Sequence, residues 1–234
     1  NQALTKFRSS GKLSKGKVIS FGLAKGDFNQ KDVKLKLKIP GDYNLENALA
    51  ALAVAFVLKI DKKLAQKTLE DFNGVSGRME EVKNNKGIKI FIDFAHTPNS
   101  LMQALKTLKK QTKGRLIAVL GSAGKRDVEK RFLMGEVAGE FADLVVVTAE
   151  DPRGEIKLIN QQIISGLEKP GLKKGISYFV EEDREKAIDL AINKLAKPSD
   201  TVGIFGKGHE KSMNLDGKEE IPWSDFKAVK KALS

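Results

Sequence analysis

The side chains of this 234-residue chain best placed to do chemistry lie where four short apolar runs end in loops crowded with charge and glycine. Ile88–Asp93 leads into Phe94-Ala95-His96-Thr97-Pro98, and Leu116–Leu120 into Gly121-Ser122-Ala123-Gly124-Lys125-Arg126-Asp127. Leu144–Thr148 leads into Ala149-Glu150-Asp151-Pro152-Arg153, and Thr201–Phe205 into Gly206-Lys207-Gly208-His209-Glu210. Asp93, at the mouth of its run, could accept hydrogen bonds from ribose hydroxyls or cap the following helix. Arg126 and Arg153 are candidate carboxylate clamps, since a guanidinium presents a fork of donors. Glu150 and Asp151 ahead of Arg153 suit a substrate bearing both an amine and a carboxylate. Gly206 and Gly208 leave backbone open beside a second anion, Glu210. His96 and His209 are the two histidines of the chain, but neither has a third ligand at helical or strand spacing, so no metal site is expected. Gly124-Lys125-Arg126-Asp127 is not a phosphate loop of the Walker type: the glycine spacing is short, and Lys125 is followed by arginine.

Two earlier motifs carry weaker signals. Asn44 and Asn47, in Gly41-Asp42-Tyr43-Asn44-Leu45-Glu46-Asn47, lie one helical turn apart and could present two amides to a ligand, although Asn44 alone reads as a helix N-cap. Arg78, in Gly77-Arg78-Met79-Glu80, stands where one kind of sequence gives way to another and could reach a phosphate; a surface ion pair with Glu80 or Glu81 is the plainer reading.

Beyond Gly74, strand-like runs alternate with helical stretches, the pattern of repeated βαβ units. Strands are expected at Ile88–Asp93, Leu116–Leu120, Leu144–Thr148, Ser177–Val180 and Thr201–Phe205. Helices are expected at Asn99–Lys110, Val128–Phe141, Ile156–Leu167, Arg184–Leu195 and Asp225–Leu233, with Thr97-Pro98 and Pro152 opening two of them. The fold class is α/β, a Rossmann-like and mostly parallel sheet whose carboxyl-end loops gather at one ligand-binding edge. Residues 83–234 form this domain. Residues 1–82 read differently: strands at Val18–Phe21 and Val33–Ile39, the latter alternating apolar residues with lysine, then helices from Asn44 and over Lys63–Phe72. Such a set buries one side of a core and leaves the other open, as the end of a larger α/β domain would.

Composition bounds the partners. The hydrophobic content of 41% supports ordinary cores, and the longest apolar stretch, Ala48–Leu58, is too short to span a bilayer, so a cytoplasmic protein without a membrane partner is expected. The absence of cysteine excludes disulfides and thiolate chemistry. A formal charge of +12 fits an affinity for anions or a lysine-rich surface, and Ala104–Arg131 alone carries nine basic residues against two acids. Nucleic acid is disfavoured as a partner, because no zinc-finger, helix-turn-helix or aromatic RNA-binding pattern is present.

Taken together and in order, these motifs, with Lys130-Arg131-Phe132-Leu133-Met134-Gly135, resemble the Mur ligases of bacterial cell-wall synthesis, particularly the branch that adds the third residue of the stem peptide. The resemblance implies ATP-dependent phosphorylation of the carboxylate of UDP-N-acetylmuramoyl-L-Ala-D-Glu, followed by attack of a diamino acid on the acyl phosphate. It implies that residues 1–82 are the end of a central ATP-binding domain and 83–234 the whole carboxyl-terminal ligase domain. It places Asn44, Asn47, Arg78, Asp93 and His96 on the nucleotide side, and Arg126, Glu150, Asp151, Pro152, Arg153, Gly206 and Glu210 around the amino acid. ATP and Mg2+ are the implied cofactors. The family's triphosphate loop and magnesium-binding acid have no counterpart in these residues, so the chain is expected to be inactive alone. The family's diaminopimelate signature reads Asp-Asn-Pro-Arg, whereas this chain has Glu150-Asp151-Pro152-Arg153, so meso-diaminopimelate and lysine both stay open. A folylpolyglutamate-synthase-like ligase and a non-catalytic basic module that binds nucleotides or nucleic acid are the competing readings.

Overall fold

The computed structural model describes residues 18–234, which divide into two compact units, one comprising residues up to Lys38 with Asp42–Phe72 and the other Ile39–Gly41 with Asn73–Ser234.

In the first unit, helices α1 (Asp42–Val57) and α2 (Lys62–Asp71) pack on chain without regular secondary structure. Val33, Leu49 and Leu52 form its small core, with Leu23, Phe28, Leu35, Leu45, Ala65 and Leu69 against them. Asp61 caps α2 by accepting the Leu64 N–H. The alternating run Val33–Ile39, which bends at Lys38 and Ile39, is no strand, because no backbone ladder meets it among the described residues: the Lys36 N–H donates to the Glu70 carboxylate, and Lys38 Nζ to the Asp71 carbonyl. At Val18–Phe21 pairing among the described residues is limited to a single bridge from Phe21 to Phe28. Helix α1 starts at Asp42, so Asn44 lies inside the first turn and is not its cap. Val54, Phe56, Val57, Leu58, Ile60 and Leu64 remain exposed.

The second unit is a six-stranded sheet flanked by helices. Its strands are β1 (Glu80–Glu81), β2 (Lys89–Asp93), β3 (Leu116–Leu120), β4 (Leu144–Val147), β5 (Tyr178–Val180) and β6 (Thr201–Phe205), in the order β1-β2-β6-β3-β4-β5. All pairs are parallel except β1 with β2. Every residue of β3 and β6 is buried, as expected of central strands covered on both faces. Helices α3 (Pro98–Gln111), α4 (Glu129–Phe141) and α5 (Ile156–Glu168) pack together on one face. On the other lie α6 (Arg184–Asp189), its π-helical continuation Leu190–Leu195, and α7 (Asp225–Leu233); their Ala187, Ile188, Ala191, Ile192, Ala228 and Val229 meet Ile90, Ile92, Ile117, Val119, Val146, Val202 and Ile204. The predicted single helix Arg184–Leu195 thus widens halfway, where the Ala196 N–H reaches back to the Ala191 carbonyl. A hairpin of β7 (Ser212–Asn214) and β8 (Glu220–Pro222) precedes α7.

Helix starts follow local chemistry. Thr97 and Ser100 form a reciprocal capping box with Pro98 in the first turn of α3. Pro152 does not open α5; it begins a turn in which its carbonyl accepts the Glu155 N–H, and the helix starts at Ile156.

Candidate functional site

Because β2, β3, β4 and β6 run parallel, the loops that leave them share one edge of the sheet. Their side chains form two adjoining groups.

The first surrounds the end of β2. Asp93 is buried, and its Oδ1 accepts the Ala95 N–H at 2.8 Å while Oδ2 accepts the Met79 N–H at 2.7 Å. Burial raises its pKa above 3.8 despite these donors and the nearby Arg78. The plainer readings of two residues are not what is seen: Thr97, not Asp93, caps α3, and Arg78 lies 4.5 Å over the Phe94 ring instead of pairing with Glu80 or Glu81. The His96 and His209 rings stand 4.6 and 5.2 Å from Phe94, and Lys130 Nζ donates to the His96 carbonyl. Gly77 is pressed onto the last loop so closely that a Cβ there would lie 2.2 Å from the His209 nitrogen. Its φ of +67° adds a second reason for glycine.

The second group lies at the ends of β3, β4 and β6. Asp151 Oδ2 accepts Arg153 Nη2 at 3.0 Å, while Oδ1 accepts the Asn214 N–H at 2.7 Å and Lys207 Nζ at 3.4 Å. Burial raises the Asp151 pKa, and these donors more than offset it, leaving the carboxyl below 3.8. Lys207 is almost fully buried and also pairs with Glu210 at 2.8 Å, bridging two carboxylates. Glu150 differs: it is buried, its Oε2 has no hydrogen-bond partner, and burial holds its pKa above 4.5 against the pull of Lys130, Arg184, Lys207 and His96. Its side chain runs against Gly206, where a Cβ would meet Glu150 Cγ at 2.9 Å. Ser122 Oγ and Thr148 Oγ1 are likewise buried without partners.

The β3 loop is anchored from below. Buried Arg131 donates to the Ala123 carbonyl, Gln162 Oε1 and Glu155 Oε2, the Gly124 N–H donates to the Asp151 carbonyl, and the Lys125 N–H donates to Glu155. Arg126 projects from this held loop into solvent and has no hydrogen-bond or ion-pair partner among the described residues. Pro152 lies in the turn behind Arg153, whose φ is +48°.

Of the residues singled out from sequence, Arg78, Asp93 and His96 share the first group, and Glu150, Asp151, Arg153, Gly206 and Glu210 share the second; the Gly206 N–H donates to the Asp93 carbonyl where they meet. Asn44 and Asn47 belong to the first compact unit. Sequence reasoning missed Lys207, Phe94, Arg184 and Asp225. Lys207 had a signal, a cation between two glycines and three residues before an acid, Glu210. Arg184 had none, because an arginine just after a capping Asp183 looks like a solvated helix start. No group of three or more His, Asp or Glu side chains among the described residues could hold a metal ion.

A model of the family described as "Mur ligase, glutamate ligase domain" matches residues 77–208. The chain is 40% identical over 199 residues to the UDP-N-acetylmuramoyl-L-alanyl-D-glutamate--2,6-diaminopimelate ligase of Clostridioides difficile, covering 85% of this chain and 40% of that one. It is 40% identical over 200 residues to the UDP-N-acetylmuramyl-tripeptide synthetase of a Roseiflexus species, covering 85% and 39%. A solved UDP-N-acetylmuramoyl-L-alanyl-D-glutamate--2,6-diaminopimelate ligase superposes with a TM-score of 0.61 at 28% identity, over 99% of this chain and 50% of that one. The chain thus spans about two-fifths of the length of these two curated relatives.

Proposed function

This chain belongs to the Mur ligase family, and from that membership we propose that it forms the amino-acid-binding part of a cytoplasmic, ATP-dependent ligase that joins a diamino acid to UDP-N-acetylmuramoyl-L-Ala-D-Glu. In this reading Arg126 grips the incoming carboxylate, and Glu150, Asp151, Arg153, Gly206 and Glu210 surround the distal end. Pro152 shapes the turn that carries Arg153. Arg78, Asp93 and His96, together with Asn44 and Asn47, serve the nucleotide. The carboxylate of the nucleotide-linked dipeptide is phosphorylated by ATP, and the amine held here attacks the acyl phosphate. The chain's contribution is position and charge. Mg2+ would neutralise charge on the triphosphate, and no group of three or more His, Asp or Glu side chains among the described residues is placed to hold it.

One observation carries the choice of amino acid: Lys207 lies between Asp151 and Glu210, with Arg153 on the far oxygen of Asp151. Asp151 and Glu210 are therefore already matched by Lys207 and Arg153, and burial raises the pKa of the third carboxyl of this wall, Glu150, which disfavours its charged form. A head bearing both ammonium and carboxylate can exchange into these pairs without leaving a buried charge unmatched, whereas the lone ammonium of lysine cannot. Aspartate at position 151, which by itself would favour lysine, is offset by its own partners. We therefore assign meso-diaminopimelate. Calorimetric titration of the chain should give binding of meso-diaminopimelate about tenfold or more tighter than L-lysine. Equal or reversed affinities would overturn the assignment, and binding of neither would overturn the functional reading. The chain alone should release no ADP from ATP and the nucleotide-linked dipeptide.

A further inference from the structure

Arg184 is completely buried, and its guanidinium is used in four directions. Nε and Nη2 donate to the two oxygens of Asp225, both at 2.8 Å, while Nη1 donates to the Ala149 carbonyl and Nη2 to the Phe205 carbonyl, each at 3.0 Å. Asp225 is equally buried and is held from a third side by Trp223 Nε1 at 2.9 Å. Ala149 and Phe205 immediately precede Glu150 and Gly206.

The two carbonyls belong to chain ends that do not pair with each other, because β3 lies between β4 and β6. Strands two places apart stand about 10 Å from one another, farther than one guanidinium can bridge by short hydrogen bonds on both sides. The chain leaving β4 must therefore lean across the end of β3 toward β6. Two glycines record that crossing. At Gly121, directly after β3, a Cβ would lie 2.3 Å from the Thr148 carbonyl oxygen and 2.9 Å from the Glu150 nitrogen. At Gly206, directly after β6, a Cβ would strike the Glu150 side chain.

We propose that Arg184 is a positioning residue that clasps the ends of β4 and β6 across β3, setting the distance between the Glu150–Arg153 and Gly206–Glu210 loops and so the fit of the diamino acid between them. The consequence for the ligand rests on the functional reading above; the clasp itself does not. A lysine in its place keeps the charge opposite Asp225 but offers a single nitrogen, which cannot face the carboxylate and both carbonyls. Arg115, paired with Asp200 at the opposite ends of β3 and β6, supplies a matched control.

Hydrogen exchange of the full chain tests the clasp through amides that tie these loops, those of Arg153, Gly154, Gly206 and Asn214. In Arg184→Lys they should exchange about tenfold faster while amides within α3 stay within about twofold, and Arg115→Lys should leave all of them unchanged. In the same proteins, affinity for meso-diaminopimelate should fall about tenfold in Arg184→Lys and hold in Arg115→Lys. Should Arg184→Lys fail to fold, Trp223→Phe removes only the indole donor to Asp225 and should speed the same four amides by about threefold. Unchanged exchange, a rise spread evenly over the molecule, or equal affinity loss in the two lysine variants overturns the clasp. If the unaltered chain binds no diamino acid the functional reading fails, and the exchange pattern still decides the clasp.

Discussion

At the amino ends of β3 and β6 Arg115 pairs with Asp200, and at the carboxyl ends of β4 and β6 Arg184 pairs with Asp225, so one sheet carries an arginine–aspartate pair at each edge. Around Asp200 the donors are abundant: the Arg115 and Lys197 backbone N–H groups and two guanidinium nitrogens all reach its carboxylate. Burial raises its pKa, and these donors outweigh burial and hold it below 3.8. At the carboxyl edge the balance is reversed just beyond the Arg184 clasp. Glu150 Oε2, Ser122 Oγ and Thr148 Oγ1 are buried without partners, and Arg126 stands in solvent with none among the described residues. Thr201 Oγ1 and, at the end of α3, Gln111 Nε2 are the amino edge's counterparts, and neither is a charged group. Unmet hydrogen-bonding capacity costs stability. Its concentration where four loops converge is capacity that the amino acid proposed above would use.

The sharpest way to break this comparison is to remove each aspartate. Asp225→Ala leaves the guanidinium of Arg184 buried with no counter-charge and should cost about 3–5 kcal/mol in urea unfolding. Asp200→Ala should cost about 2 kcal/mol, because Arg115 is partly in solvent and can rehydrate, leaving chiefly backbone donors unmet. Equal losses would mean that the two edges are built alike.

A second pair of substitutions separates ligand from fold. Arg126→Ala removes a side chain that touches no described partner, so stability should change by less than about 0.5 kcal/mol. Its affinity for meso-diaminopimelate should nevertheless drop by about 1.5–3 kcal/mol, the worth of a charged hydrogen bond. Arg115→Ala should do the converse, lowering the unfolding midpoint and sparing calorimetric affinity. If Arg126→Ala leaves binding untouched, the loop after β3 is not part of the site.

The same contrast explains which features are legible in the amino-acid sequence. β3 and β6 fall at the expected residues because fully buried parallel strands are short, continuous and apolar, with charge and glycine immediately after them. Arg126, Glu150, Asp151, Arg153 and Glu210 are legible as loop charges at strand ends. The alternation at Val33–Ile39 misleads because a period of two describes side-chain exposure, while a strand also needs a partner, and here the side chain of Glu70 takes the backbone's place. Pro152 misleads because proline serves a turn as well as a helix start. Arg184 and Asp225 are 41 residues apart in the chain, and each sits at a helix start where such charges are ordinary. Their burial is a property of the crossing over β3, which no local pattern encodes.

The smallest predicted effect is the most diagnostic, because it has opposite sign at the two edges. Burial raises the pKa of Glu150 above 4.5, so between 4.5 and that higher value the folded state holds a proton that the unfolded state has released. Stability contributed by Glu150 is therefore full below pH 4.5 and is lost as pH rises through the folded value. Asp200 is the reverse: its folded pKa lies below 3.8, so its contribution is full above pH 3.8 and is lost as pH falls through the folded value. Glu150→Gln should remove its share of the decline on the alkaline side, at most about 1.4 kcal/mol per pH unit, leaving the share from Asp93. Asp200→Asn should instead flatten the acid limb. Thermal melts from about pH 3, one unit below the ordinary carboxyl range, to about pH 8, well above it, would resolve the two limbs. Saturating meso-diaminopimelate adds a further test: if the ligand's ammonium meets Glu150, the alkaline decline in the unaltered chain should fall to the share left by Asp93, while the acid limb at Asp200 persists.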